Sequence, residues 1–203
     1  MNEKRTNNTI TLGSGKLFCI EFTGGEIPSN DVLEVEANRL AWIQGGAGLE
    51  YTSEWHDAED DLGMVSKRKI TTENVNLTSG IMTWNGEVLA KLCNTARVTE
   101  ANGVRTVKIG GQDNGKQYLF RFLHEDVQDG DVRVTLVGQN TSGFTLTFQK
   151  DQETVIDATF SASKGRIDDE GTIVIIEEET AGTTGFSQAK APLKTEIKTE
   201  VKA

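Results

Sequence analysis

Three short runs of alternating apolar and polar residues follow one another between Asp131 and Ala162. Val132, Val134 and Leu136 alternate with Arg133 and Thr135; Phe144, Leu146 and Phe148 with Thr145, Thr147 and Gln149; Ile156, Ala158 and Phe160 with Asp157 and Thr159. A period of two sends one set of side chains to a core and the other to a polar surface. Turn formers separate the runs, Gly138 to Gly143 and then Lys150-Asp151-Gln152. The pattern predicts an antiparallel meander with one apolar face and one Thr/Gln/Arg face. No catalytic group gathers in it.

Upstream, Leu17 to Phe22 reads as a buried strand, broken by Gly24 to Asp31 with Pro28. Between Val32 and Ala37, Leu33 and Val35 alternate with Glu34 and Glu36, which predicts another strand with two carboxylates on its polar side. Arg39 to Ile43 continues as strand to Gly45-Gly46, and Leu49, Tyr51, Ser53 and Trp55 then alternate with Glu50, Thr52, Glu54 and His56. Asp57 to Gly63 is dense in negative charge and has no period, the signature of a solvated loop. Met64 to Lys69 brings basic residues, and Ile70 to Leu77 reads as strand again. Long connections tend to be functional or disordered, so the excursion over residues 44–67 predicts an extended hairpin projecting from the body.

One helix is expected. After Asn85, Val88, Leu89, Leu92, Cys93 and Ala96 form a single helical stripe, with Asn85 as cap and Glu87 at the positive end. A lone amphipathic helix in a strand-rich chain covers a sheet face or edge. Asn102-Gly103 and Asn114-Gly115 are hairpin signals bracketing the strand Arg105 to Ile109. Tyr118, Phe120 and Phe122 alternate on the next strand, Asp129-Gly130 turns into the meander, and Ile173 to Ile176 is a last short strand. The fold class is mainly β, an antiparallel sandwich or barrel flanked by one α-helix.

Residues 1–12 are polar and aperiodic, an N-terminal arm; 13–178 form the β domain; 179–203 read as a flexible tail, in which Leu193, Ile197 and Val201 recur every four residues. At 203 residues the chain is long enough for one domain with a full core. Its 21 basic and 31 acidic side chains give a formal charge of −10, which argues against gripping nucleic acid through its phosphates. No secretory signal or membrane span is expected, and the two cysteines, Cys19 and Cys93, read as reduced thiols.

The candidate chemistry is thin. Gly13-Ser-Gly-Lys16 lacks the spacing of a phosphate loop, and Leu17 stands where that motif needs Ser or Thr. His56 and His124 have acidic neighbours but no companion ligands at zinc spacing. The carboxylates around Gly130 miss the calcium-loop pattern. Glu34 and Glu36 could be read as a glycosidic acid–base pair, but a charged sheet face explains them as well. No catalytic residue, cofactor or metal is expected.

Several segments together resemble the tail tube (major tail) proteins of tailed bacteriophages, those of siphophages above all. They are Leu40-Ala-Trp-Ile-Gln-Gly-Gly-Ala-Gly-Leu-Glu-Tyr-Thr-Ser-Glu-Trp55, Lys69-Ile-Thr-Thr-Glu73, the helix beginning Trp84-Asn85, and Gly143-Phe-Thr-Leu-Thr-Phe with Ala158-Thr-Phe-Ser-Ala162. The resemblance covers residues 10–178. It implies a small β-sandwich that closes with five copies into a six-fold ring, four strands per subunit lining a channel, with rings stacked into a tube. The implied partners are further copies of the chain, the tape measure protein, and the tail terminator and distal tail or baseplate proteins. DNA would pass through the channel without specific binding, and the protein would sit in the virion tail after assembly in the host cytoplasm.

Under this resemblance the loop 44–67 would touch the next ring, with Trp55, His56, Asp57, Glu59, Asp60, Asp61, Leu62 and Met64 as its contact residues. Glu34, Glu36, Glu50, Glu54 and Glu73 become candidates for an acidic channel lining, because carboxylates repel a sliding polyanion over about one Debye length, ~8 Å. Two other readings stand beside it. A β-sandwich module binding a receptor or carbohydrate would show an exposed aromatic patch. An enzyme would need a convergent pocket.

Overall fold

The structure is a computed structural model that describes residues 11, 13–61, 63–164 and 167–179. The arm 1–12, Thr11 apart, the tail from residue 180 and Leu62 lie outside the described residues. Among the described residues, ten strands and two α-helices follow in order: β1 (Lys16–Glu21), α1 (Asn30–Leu33), β2 (Arg39–Ala41), β3 (Ile43–Glu59), β4 (Ser66–Ile81), α2 (Gly86–Leu92), β5 (Ala96–Ala101), β6 (Val104–Ile109), β7 (Tyr118–His124), β8 (Val132–Asn140), β9 (Ile156–Ala162) and β10 (Val174–Glu178). The protein is mainly β, its strands antiparallel.

The main sheet runs β2-β1-β7-β8-β9-β4-β3. Its first and last strands are consecutive in sequence, separated only by Trp42. One continuous run of chain therefore forms both ends of the strand order, and the sheet curls back on itself. Thr83 fixes the corner: its Oγ1 accepts from Trp42 N at 2.9 Å. The space inside is filled by Leu17, Cys19, Leu77, Phe120, Leu136, Ile156 and Phe160, with Phe120 and Phe160 stacked at 4.1 Å between centroids. The helix α2 presents Val88, Leu89 and Leu92 to the same core.

Strand β8 is the fork of the sheet. Along one edge it pairs with β7 from Val132 to Gly138; along the other, Val132–Leu136 pair with β10 and Gly138–Asn140 with β9. Gly138 stands where the second edge passes from β10 to β9, and a Cβ there would collide with the Ser161 carbonyl oxygen. A second apolar cluster, Phe22, Leu33, Leu119, Val137 and Ile167, fills the outer face of this half, under the segment that contains α1.

Four sequence expectations are corrected. Val32–Ala37 is not a strand: it is the end of α1 followed by a 3-10 turn over Glu36–Asn38. Phe144–Phe148 is not a strand either, because β8 and β9 pair directly and leave no ladder partner for the connector. Phe144 and Leu146 still lie against the core, whereas Phe148 is exposed and meets Trp84 edge-on. The helix stops at Leu92, so Cys93 and Ala96 belong to the turn and to β5. Asn140 Nδ2 binds the Leu92 carbonyl at 2.8 Å, satisfying one of the acceptors a helix end leaves open. Finally, Asn102-Gly103 does form a turn with both φ positive, 53° and 73°, between β5 and β6, but Asn114-Gly115 makes no hairpin. Strand β7 spends both its edges on β1 and β8, so β6 cannot pair with it.

Candidate functional site

Residues 44–67 are almost entirely strand. β3 and β4 pair from Ile43↔Ile81 to Glu59↔Ser66, and the acidic residues Asp57 and Glu59, expected in a loop, lie in the ladder. The turn is confined to 60–65, where Val65 N binds Asp60 Oδ1 at 2.7 Å. β4 also pairs with β9, but only from Asn76 to Ile81. From Val75 outward the two strands have only each other, and β3 has no second partner along its whole length among the described residues.

Register sorts the side chains of this ribbon by face. One face carries Leu49 opposite Leu77, Tyr51 opposite Val75, Ser53 opposite Glu73, Trp55 opposite Ile70 and Asp57 opposite Arg68. Tyr51 OH donates to Glu73 Oε1 at 2.9 Å; Arg68 stacks 5.3 Å from the Trp55 ring and pairs with Asp57 at 3.0 Å. Leu77 and Val75 belong to the core, so the apolar row runs from buried residues out to Tyr51 and Trp55, which are 55% and 51% exposed. Met64 and Val65 at the tip are exposed too.

The other face is polar. Cross-strand partners line up as Gln139 on β8, Ser161 on β9, Asn76 on β4 and Glu50 on β3, one row across four strands. Ser161 Oγ donates to Asn76 Oδ1 at 2.7 Å. Farther out on the same face come Glu54 opposite Thr72, and His56 opposite Lys69.

The five candidate lining carboxylates are thus not on one surface. Glu50 and Glu54 share the polar face, Glu73 is on the opposite one, and Glu36 sits on the 3-10 turn paired with Arg39 at 3.0 Å. Glu34 is a correction in kind. Arg133 donates to it with Nε at 2.8 Å and Nη2 at 3.3 Å, and Arg121 with Nη1 at 3.0 Å. Both guanidinium groups are buried, with Arg121 3% and Arg133 5% exposed. Asn30 Oδ1 at 2.8 Å, Glu177 at 3.2 Å and Asp131 at 3.3 Å complete the cluster. Burial pulls the Arg121 guanidinium down from its ordinary value, against the pull of Glu177 and Glu34. Glu34 is a clip holding α1 to β7 and β8. No sequence signal marked it, because its two partners stand 87 and 99 residues away.

The remaining candidates are separate. His56 is on the ribbon, whereas His124 is buried with Nδ1 2.8 Å from the Ser14 carbonyl. Among the described residues no cluster of His, Cys, Asp or Glu could hold a metal ion, and no helix is long and apolar enough to cross a membrane. The depression beside Trp42 holds Lys16, Arg39 and Glu125. Lys16 is already paired to Glu125 at 2.6 Å, and Arg39 to Glu36.

The geometry defines an antiparallel β domain with one packed helix and a long two-stranded ribbon. No family model matches the chain, and no curated protein matches it in sequence.

Proposed function

We propose that the protein is structural, the repeating subunit of a hollow phage tail tube built from six-membered rings. The observation that carries the reading is the β3–β4 ribbon. From Val75 outward the ladder has no other partner among the described residues, an arrangement marginal in water, and the ribbon also exposes the outer edge of β3 and the row Leu49, Tyr51 and Trp55. Contacts with neighbouring copies would cover both. Heterologous contacts that close in one direction and repeat in another generate stacked rings.

In this reading the polar row Gln139, Ser161, Asn76 and Glu50, continued by Glu54, faces the channel. The hydroxyls, amides and carboxylates of this row offer DNA phosphates no cation, Lys69 standing beyond Glu54 nearer the ribbon tip, and the net charge of −10 repels them. The partners are then other copies of the chain, the tape measure protein before DNA, and the proteins that end the tube.

Negative-stain electron microscopy at low and high protein concentration tests the reading. Hollow rings or tubes are expected, and their loss in the Tyr51→Ser, Trp55→Ser double variant. Isolated particles at every concentration, also when mixed with the host phage's tail initiator complex, would overturn it.

A second reading, a receptor- or carbohydrate-binding module, is favoured by one observation. Trp42 is 62% exposed, with the Arg39 guanidinium 4.3 Å from its ring, in a depression that Trp84 also lines. An indole held flat by a cation is a platform for a sugar face. Binding on a glycan array that Trp42→Ala abolishes would establish it.

A further inference from the structure

The chain carries three Asn-Gly dipeptides, at Asn85, Asn102 and Asn114. Such a pair can lose ammonia, because the freely rotating glycine lets its amide nitrogen reach the preceding side-chain carbonyl. The three are held differently. Asn85 is the cap of α2, its Oδ1 accepting from Glu87 N at 2.9 Å and Val88 N at 3.0 Å, and Gly86 is already helical. Asn102 sits in the tight turn between β5 and β6, closed by the pair Ala101↔Val104.

Asn114 lies in the connector between β6 and β7, and its surroundings resemble a small acyl-transfer site. Gly115 N, the nucleophile, donates to Asp113 Oδ1 at 2.9 Å. Asn114 Oδ1, on the electrophilic carbonyl, accepts from Lys116 N at 2.9 Å. Gly115 has φ +66° and nothing within 4 Å of where a Cβ would be, so its peptide can turn. The flanks are pinned: Asn114 N to the Asn94 carbonyl at 2.8 Å, the Lys116 carbonyl to Gln139 Nε2 at 2.7 Å, and Lys116 Nζ to Glu21 at 2.6 Å.

We propose that Asn114-Gly115 is a self-modification site, in which Asp113 is the proton acceptor and the Lys116 amide stabilises the oxyanion. Gly115 N forms a bond to Asn114 Cγ as its proton passes to the Asp113 carboxylate. The tetrahedral oxygen is held by Lys116 N–H. The Cγ–Nδ2 bond then breaks, Nδ2 takes the proton back and leaves as ammonia, and a succinimide remains. Water opens the ring at Cγ to give aspartate, or at the main-chain carbonyl to give isoaspartate. In sum, one water is consumed and one ammonia released, and a new negative charge appears beside Asp113.

The test is peptide mapping by mass spectrometry of the full-length protein aged at neutral pH and physiological temperature. Each converted site gains about 1 Da, and isoaspartate is read by resistance to cleavage before aspartate. Asn114 is expected to convert at least about tenfold faster than Asn85 or Asn102, and Asp113→Asn to slow it about tenfold, the low side of what a positioned base supplies. Equal rates at the three sites in the native protein would overturn the proposal, as would an Asp113→Asn rate equal to wild type. Ageing the wild type in concentrated urea keeps the question open to refutation if that variant folds poorly. Loss of the lead of Asn114 there supports the folded geometry, and a lead that persists in urea refutes it.

Discussion

Removing the Glu34 carboxylate isolates what the buried cluster contributes. Glu34→Ala deletes three charge-assisted hydrogen bonds and leaves two guanidinium groups inside the protein. Breaking a buried pair from one side costs about 3–5 kcal/mol, mostly the stranded charge. Here the lower half of that range applies. Arg121 keeps Glu177, whose side chain is half in solvent, and Arg133 keeps Asp131. Glu36→Ala is the matched control: its side chain is 75% exposed, and such a surface pair contributes about 0–1 kcal/mol. Urea unfolding followed by tryptophan fluorescence gives both values, compared at equal slope. A third variant, with Glu34, Arg121 and Arg133 all replaced by apolar residues of similar volume, should recover most of the loss. A Glu34→Ala protein within about 1 kcal/mol of wild type, or no weaker than Glu36→Ala, would refute the clip.

Alkaline pH should weaken the fold. Burial pushes the Cys19 thiol from 9.0 to about 12 and the Tyr118 phenol from 10.0 to about 12. Both raised groups stabilise the folded state below pH 9, and that contribution drains away as pH climbs from 9 towards 12; Cys19→Ala should flatten the fall seen in thermal melts against pH. Gly138→Ala should cost about 1–3 kcal/mol or more in the same unfolding assay, since β8 and β9 must part to admit the methyl group. Asn85→Ala removes both cap hydrogen bonds of α2 and should cost about 1 kcal/mol, with loss of helical circular dichroism. Trp55→Ser should change stability by less than about 1 kcal/mol, since the ring is half exposed and its cation contact is with the exposed Arg68, while lowering assembly measured by sedimentation.

Much of the fold can be read from local pattern. β1, β7, β8 and β9 announce themselves by apolar period or density, because each buries at least one face. Asn102-Gly103 marks its turn because few other residues adopt two positive φ angles in succession. Asn85 and the stripe Val88, Leu89 and Leu92 mark the start and the buried face of α2. The candidate site was only half legible. Alternation put Tyr51 and Trp55 on one face of a strand, but their exposure is seen only in the fold, and the row Gln139, Ser161, Asn76 and Glu50 joins four strands and exists only after register is set.

The misreadings have one cause. Leu33, Glu34, Val35 and Glu36 alternate as a strand would, yet Glu34 is drawn inward by two arginines from distant strands. Phe144, Leu146 and Phe148 alternate equally well and have no ladder to join. Asn114-Gly115 has hairpin chemistry, but the strand after it is claimed on both edges. Sequence by itself determined the elements whose stability is local: turns that need positive φ, a capped helix, strands with an apolar face. Tertiary structure decided which segments found partners and which charges were buried, because edge pairing and ion pairing depend on residues some hundred positions apart in the chain.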